Sequence, residues 1–338
     1  MDTITQMTLG AAVGEAVLGK KIGGRAILWG AVLGTLPDLD VIINPFVDGV
    51  VEMRNHRGFT HSLFFCLLFS PIIGSAFNRW YAERAVGWQR WSWMVFLIFG
   101  THILIDTITT YGTQVLYPLS DIPFTTDSMF IIDPFYTLPL LSGLILSLFM
   151  KRDSGFRRLA NGSGLALSTL YIIWGLGIKS HVHTVFSESF ENRFGYHEML
   201  KTTPNGPNTF LWTGYAVRND TVYNANYSLF DTSQELNFLA IPRNSYLIEP
   251  YIDDRAVETL LWFSRGYYTV EKTDSSLYFN DLRFGRDDLW LTDEGNFVWK
   301  NRILFNEEGE AHSFEQILPS FDTRSQNISL FMNRIRGK

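Results

Sequence analysis

The stretch Trp93–Tyr111, WMVFLIFGTHILIDTITTY, is nineteen residues of mostly apolar sequence that nevertheless carries His102 and Asp106 in its interior. About 20 such residues are needed for a helix to cross the hydrocarbon core of a bilayer. An imidazole and a carboxylate inside such a helix are costly to desolvate, so their presence marks a functional position. A spacing of four puts both side chains on one helical face. The segment therefore reads as a membrane span that contributes two polar groups to a common point.

Other stretches of the chain read the same way. Phe59–Phe77, Phe130–Met150 and Gly164–Ile178 are further spans, and Ile27–Phe46 is a fifth, interrupted by Pro37, Asp38 and Asp40. Met7–Leu18 is too short to span and is rich in Gly and Ala, which suits a re-entrant or closely packed helix. The whole chain has 338 residues, a net charge of -6 and 18% charged residues, against roughly 25% in soluble globular chains. Most of the charge lies after residue 185, so one half reads as lipid-embedded and the other as water-exposed. The acidic balance and the lack of a basic stripe argue against a nucleic-acid partner. The single cysteine, Cys66, sits in an apolar run and carries no redox message. With Asp2 where a basic leader would begin, no cleaved signal peptide is expected.

Lys and Arg fix the orientation. Arg79–Arg90 carries three arginines against one acid, and Lys151–Gly162 carries four basic residues against one acid. Thr113–Ser128, between them, has only Asp121 and Asp127. Together with Lys20, Lys21 and Arg25 before the first span, this alternation places the basic loops in the cytoplasm. It also places the C-terminal region outside a bacterial inner membrane. Trp80, Tyr81, Trp88, Trp91 and Trp93 read as an interfacial aromatic belt on the inner side.

The second half changes character. Ser189–Leu200 is polar and amphipathic, and Thr203–Asn208 reads as a linker. Gly266–Lys272, Leu277–Phe284 and Asn296–Phe305 then alternate as strands between Gly, Asp and Asn turns. Asp254–Ser264 is a helix with an acidic start. The expected architecture is an α-helical polytopic membrane domain of about five spans over residues 1–182, a helix and linker over 183–208, and a small α+β or mostly β soluble domain over 209–338.

The polar residues of the membrane half converge. Pro37-Asp38-Leu39-Asp40 lies near the outer end of the first span, and His56-Arg57-Gly58-Phe59-Thr60-His61 opens the second. His102 and Asp106 lie well into the third, and Asp133 begins the fourth. Lys and Arg alone fix the orientation, yet all of these residues fall in the outer part of the membrane. Imidazole and carboxylate donors suit zinc, with manganese as the alternative. Two carboxylates one residue apart could also bridge a pair of ions. Asp38, Asp40, His56, His61, His102 and Asp106 are the candidate ligands. Arg57 is the candidate for steadying developing negative charge, and Asp133 is a helix start that could support the site from behind. Taken singly, each motif has a plain structural reading as a cap, an interfacial residue or a hydrogen-bonded pair; the joint pattern points to metal. His181 and His183 leave the fifth span on the same side and could complete the shell, whereas His197 and His312 read as ordinary. No phosphate-binding loop, dinucleotide fingerprint, nucleophile elbow or cysteine cluster is present.

These motifs resemble those of the YdjM-like family of inner-membrane proteins. The matching segments are Asp2-Thr-Ile-Thr-Gln6 with Leu9-Gly-Ala-Ala-Val-Gly14, Gly34-Thr-Leu-Pro-Asp-Leu-Asp40, His56-Arg-Gly-Phe-Thr-His-Ser62 and Gly100-Thr-His-Ile-Leu-Ile-Asp106. The resemblance covers about residues 1–180 and implies bound metal and hydrolysis. Many relatives have Thr-His where this chain has Thr5-Gln6, so Gln6 replaces a residue that could be a ligand. The His and Asp pattern also looks like that of zinc-dependent phospholipase C and related nucleases, which implies a phosphoester substrate. The expectation is a metal-dependent hydrolase of a lipid or lipid-linked ester, working through metal-bound hydroxide, with membrane lipid as its partner. A non-catalytic scaffold displaying the C-terminal domain, or an ion-coupled transporter, is the alternative.

Overall fold

Asp2 opens the first helix by accepting the Thr5 amide at 3.0 Å, which satisfies one of the free N–H groups at the start of α1 (Thr3–Ile22). Gly23, at φ +62°, ends it and turns the chain back into α2 (Gly24–Thr35). The two helices meet through glycine. A Cβ on Gly10 would overlap the Gly30 carbonyl, and one on Gly34 would lie 2.6 Å from the Gln6 carbonyl. Small residues spaced by four let helix backbones touch in this way. The Met7–Leu18 run is thus part of a full helix in close contact with its neighbour.

The computed structural model describes residues 1–274, 276–292, 295–318 and 328–338. These fall into two compact units, Met1–Ile42 with Asn55–Leu176, and Ile43–Arg54 with Gly177–Lys338. In the first unit, Pro37 cannot continue α2, and the chain passes through a 3-10 segment, Pro37–Phe46, bent by 42° from it. Beyond α3 (Gly49–Asn55) and a 3-10 turn at Phe59–His61, Ser62 caps α4 (Leu63–Trp80) by accepting the Phe65 amide. α5 (Trp88–Asp106) is the central helix, with Trp91, Met94, Val95, Ile98 and Phe99 completely buried. It packs on α1, α2 and α4. Asp133 caps α6 (Pro134–Leu148), and α7 (Gly155–Phe194) starts in this unit.

Among the described residues, α4 and α7 are long and apolar enough to cross a membrane, and the bent α2 and Pro37–Phe46 pair makes a third span if counted as one. The expected count of five is not reached by this measure. α6 has 15 residues. α5 spends its first turn on Trp88, Gln89 and Arg90 and stops at Asp106, short of the expected Tyr111. A helix shielded by its neighbours has less need of a uniformly apolar surface.

The second unit holds the sheets. β1 (Met199–Pro204), β2 (Leu211–Arg218), β3 (Thr221–Ser228) and β4 (Leu239–Pro242) form an antiparallel meander. Thr203 and Pro204, expected in a linker, close β1; proline is tolerated there because β1 is an edge strand. Val182, Val185 and Phe186 of α7 pack with Trp212, Ala225 and Tyr227, and Gly214 leaves room for the Phe186 ring. α8 (Arg255–Ser264) then precedes a second meander of β5 (Tyr268–Lys272), β6 (Leu277–Asp281), β7 (Lys300–Phe305) and β8 (Ala311–Ile317). α9 (Ile328–Ile335) is the last described helix. The C-terminal region is thus a β-sheet domain with helices, as expected.

Candidate metal centre

Four donors from three separate elements meet inside the first unit. Asp38 comes from the 3-10 segment after α2, His61 from the turn before α4, and His102 and Asp106 from α5. His61 Nε2 lies 3.1 Å from His102 Nε2, 3.2 Å from Asp38 Oδ1 and 3.4 Å from Asp106 Oδ2. His102 Nε2 lies 3.5 Å from Asp38 Oδ1 and 3.8 Å from Asp106 Oδ2. All four donor atoms fall within 4.8 Å of one another. A tetrahedral ion with ligands at about 2.0–2.1 Å has edges of about 3.3–3.4 Å. Four of the six separations, 3.1–3.5 Å, are close to that figure, and a fifth is 3.8 Å.

The ring nitrogens are oriented from behind. His102 Nδ1 is 2.8 Å from the Gly34 carbonyl, one of the oxygens left free at the end of α2. A carbonyl only accepts, so Nδ1 carries the proton and Nε2 offers its lone pair to the centre. His61 Nδ1 is 3.0 Å from Thr60 Oγ1 and 3.6 Å from Asp40 Oδ2, which leaves its Nε2 free to do the same. Two imidazole lone pairs 3.1 Å apart require a proton or a cation between them. Two carboxylates completing the ring favour a cation. Asp106 Oδ2 is buried and closes no hydrogen bond among the described residues. The donor set and its spacing fit a single divalent ion.

The other candidates surround this centre. Asp40 is not one of the four donors. Its Oδ2 accepts the Arg57 amide at 2.9 Å, and its Oδ1 is 3.2 Å from His56 Nδ1. His56 stands beside His61, with ring centroids 6.3 Å apart, and its ring meets Tyr111 edge-on. Arg57 adopts φ +57°, a conformation disfavoured for a side chain of this size. This backbone turn aims the buried guanidinium inward, where Nε is 3.3 Å from Asp106 Oδ2 and Nη1 donates to Thr109 Oγ1 at 3.1 Å. Its charge also lies 5.0 Å above the Tyr111 ring. Arg57 is thus bound to a candidate ligand. Asp133 lies outside the group of four; it accepts the Phe135 amide at 3.0 Å and the Tyr171 hydroxyl at 2.8 Å. His181 and His183 belong to the second unit.

Gln6 reaches the centre from α1. Its Nε2 donates to Asp106 Oδ1 at 3.0 Å, and the Met1 amino group pairs with the same oxygen. The amide that replaces an expected imidazole therefore holds a candidate ligand in place. Sequence reasoning passed over Gly34, whose contribution is a backbone carbonyl, and Thr109, which anchors Arg57. Only the position of Thr109 three residues after Asp106 offered a signal.

These elements define a helical membrane protein with a four-donor His/Asp centre, three of its donors buried and Asp38 partly exposed. Residues 1–182, more than half of the chain, match the YdjM inner membrane protein family, and the chain belongs to that family. It is 29% identical over 210 residues to "Uncharacterized protein YfhP" of Bacillus subtilis (strain 168), covering 57% of this chain and 60% of the relative. It is 32% identical over 154 residues to "Inner membrane protein YbcI" of Escherichia coli (strain K12), covering 44% of this chain and 87% of the relative. The chain thus spans less than two thirds of YfhP. No solved structure matches it.

Proposed function

We propose that the chain is a bacterial inner-membrane hydrolase that uses one divalent ion, zinc before manganese, to cleave an ester or phosphoester in a lipid or lipid-linked substrate. The observation that carries this reading is the pair of facing Nε2 atoms of His61 and His102, closed by Asp38 and Asp106 at 3.2–3.8 Å. Asp38, His61, His102 and Asp106 would hold the divalent ion, which would supply Lewis acidity and a water acidic enough to give hydroxide near neutral pH. The Gly34 carbonyl and Asp40 keep the two rings aimed at the ion. Gln6 and Arg57 hold Asp106, and Arg57 places a positive charge where negative charge develops on the substrate.

The lipid substrate is supported by the surroundings of Asp38. It is the one donor of the four with appreciable exposure, 23% of its side chain. Leu39 and Ile42 on its segment, and Phe59 and Leu63 beside His61, are all exposed. A polar donor set opening among bare apolar side chains suits a headgroup presented at the edge of the bilayer. In this reading α2 with its bent continuation, α4, α5, α6 and α7 all cross the membrane, and an odd number of crossings would put the C-terminal domain outside the cytoplasm. The basic loops around Arg84 and Arg152 support that orientation. Residues 43–54 share a compact unit with the C-terminal domain, which suits both lying on one side of the membrane.

The test is metal content, by mass spectrometry, of detergent-purified wild type beside His102→Ala/Asp106→Ala. About one equivalent of zinc or manganese, lost in a folded variant that also loses turnover of phospholipid or lipid-phosphate substrates, is the expected result. No ion in either protein after divalent metals are supplied would overturn the reading in favour of a scaffold or transporter.

A further inference from the structure

The candidate metal motif is interrupted in the chain. Asp38 and Asp40 lie before residues 43–54, and His56, Arg57 and His61 lie after them. Those intervening residues pack with the C-terminal domain in the second unit, whereas both flanks belong to the first. Several contacts fix them there. Arg54 Nε donates to the buried Thr259 hydroxyl at 3.2 Å, and its Nη2 reaches Glu258 Oε1 at 3.3 Å. The same guanidinium lies 4.4 Å above the Trp262 ring. Asp48 caps α3 through the Val51 amide at 2.9 Å and accepts from Arg255 Nη1 at 2.6 Å. Gly49 lies so close to Phe314 that any Cβ there would overlap the Phe314 carbonyl. Val50 and Met53 are buried.

The two ion pairs are half exposed and weak individually. A cation over an indole, two buried apolar side chains and a glycine contact add what surface pairs lack. The connection is therefore fixed at a point between the two halves of the motif. We propose that the C-terminal domain is a clamp on the metal centre: by gripping residues 43–54 it holds the Asp38/Asp40 half and the His56–His61 half in register and thereby sets the affinity for the divalent ion. The proposal rests on reading Asp38, His61, His102 and Asp106 as ligands. Met53 and Arg54 are positioning residues; neither is one of the four donors. A freed connection must be closed each time the ion binds. About 22 residues separate Asp38 from His61. A cost rising as the three-halves power of loop length bounds the loss of affinity at about a hundredfold.

The experiment compares full-length wild type with Met53→Ala/Arg54→Ala and with the conservative Met53→Leu/Arg54→Lys. Zinc affinity is measured by chelator competition, and amide exchange is followed by mass spectrometry over residues 37–46, 56–61 and the strands β5–β8. The expected result is an affinity at least about threefold weaker in the alanine variant, bounded at about a hundredfold. Exchange over 56–61 rises, β5–β8 are unchanged, and the conservative variant recovers. Unaltered affinity and unaltered exchange over 56–61 overturn the clamp. Wild type that binds no ion sinks the metal reading instead. In that case exchange alone decides: faster exchange over 56–61 supports the mechanical link, and no change overturns it.

Discussion

Replacing Asp40 by asparagine separates two roles for the second carboxylate of the Pro-Asp-Leu-Asp motif. As a bridging ligand, Asp40 would belong to a second ion. In the structure it stands behind the centre, with Oδ2 on the Arg57 amide at 2.9 Å and 3.6 Å from His61 Nδ1. Its Oδ1 is 3.2 Å from His56 Nδ1. A carboxylate behind a ligating histidine fixes ring orientation and raises ligand basicity, and its loss costs about 10- to 100-fold in metal affinity. That corresponds to about 1.4–2.7 kcal/mol. A second contribution comes from Arg57, whose positive φ is held in part by the hydrogen bond to Asp40. Strain of that kind is worth about 1–3 kcal/mol, and its release would move the guanidinium away from Asp106. Asp40→Asn is therefore expected to keep the wild-type stoichiometry while weakening zinc about 10- to 100-fold. Mass spectrometry gives the stoichiometry, and chelator competition at pH 7 gives the affinity. The loss of one full equivalent would make Asp40 a ligand. Unchanged affinity at unchanged stoichiometry would remove its orienting role.

Gly10→Val should lower the stability of the membrane region by about 1–3 kcal/mol or more, because its side chain meets the Gly30 backbone and overpacking cannot relax there. Thermal unfolding in detergent measures it, and a neutral result would refute the close helix contact. Glu15→Ala leaves Arg157 buried without its carboxylate, which now accepts from Nε at 2.6 Å and from Nη2 at 2.7 Å. The loss should be about 3–5 kcal/mol, with Arg157→Met in the same chain recovering much of it. In the C-terminal domain, burial raises the Asp288 pKa, but hydrogen bonds from Arg286 and Thr292 more than offset it and leave the group below the usual carboxylate range. A depressed folded pKa adds stability that is present above about pH 4, the unfolded value, and is lost as pH falls through the folded one. Asp288→Asn should lower stability at pH 7 and flatten the acid limb of a tryptophan-fluorescence unfolding curve. An unaltered acid limb would show that the carboxylate does not govern it.

The polar motifs were legible in the sequence because a lipid environment makes each ionisable residue conspicuous. Asp38, His61, His102 and Asp106 stand out against apolar neighbours, and the structure brings these four together. What separates these four donors from their neighbours was not legible. Asp40 and His56 have the same chemistry as their neighbours and differ only in where a 3-10 turn points them. The Gly34 carbonyl is invisible in sequence because every residue has one. β5, β6 and β7 followed from alternating side chains between turn residues. β2 did not: Leu211–Val217 is buried throughout, so the period of two is absent. The packing of residues 43–54 was not legible either: 43–46 read as the end of the Ile27–Phe46 span, and the partners of Arg54 and Asp48 lie some two hundred positions further along the chain.

The four donors arrive on three segments that are not adjacent in the sequence, and no single helix brings more than two of them. If these four hold the divalent ion proposed above, no hairpin inserted alone could capture it. A newly made chain must dock α2, α4 and α5 before high affinity exists. Ion uptake would then report on completed assembly, and a bound form would be selectively stabilised over misassembled intermediates by RT ln(1 + [ion]/Kd). Under that proposal, a cell short of the metal would hold this protein less stably, so quality control at the membrane and metal supply would act on the same four side chains.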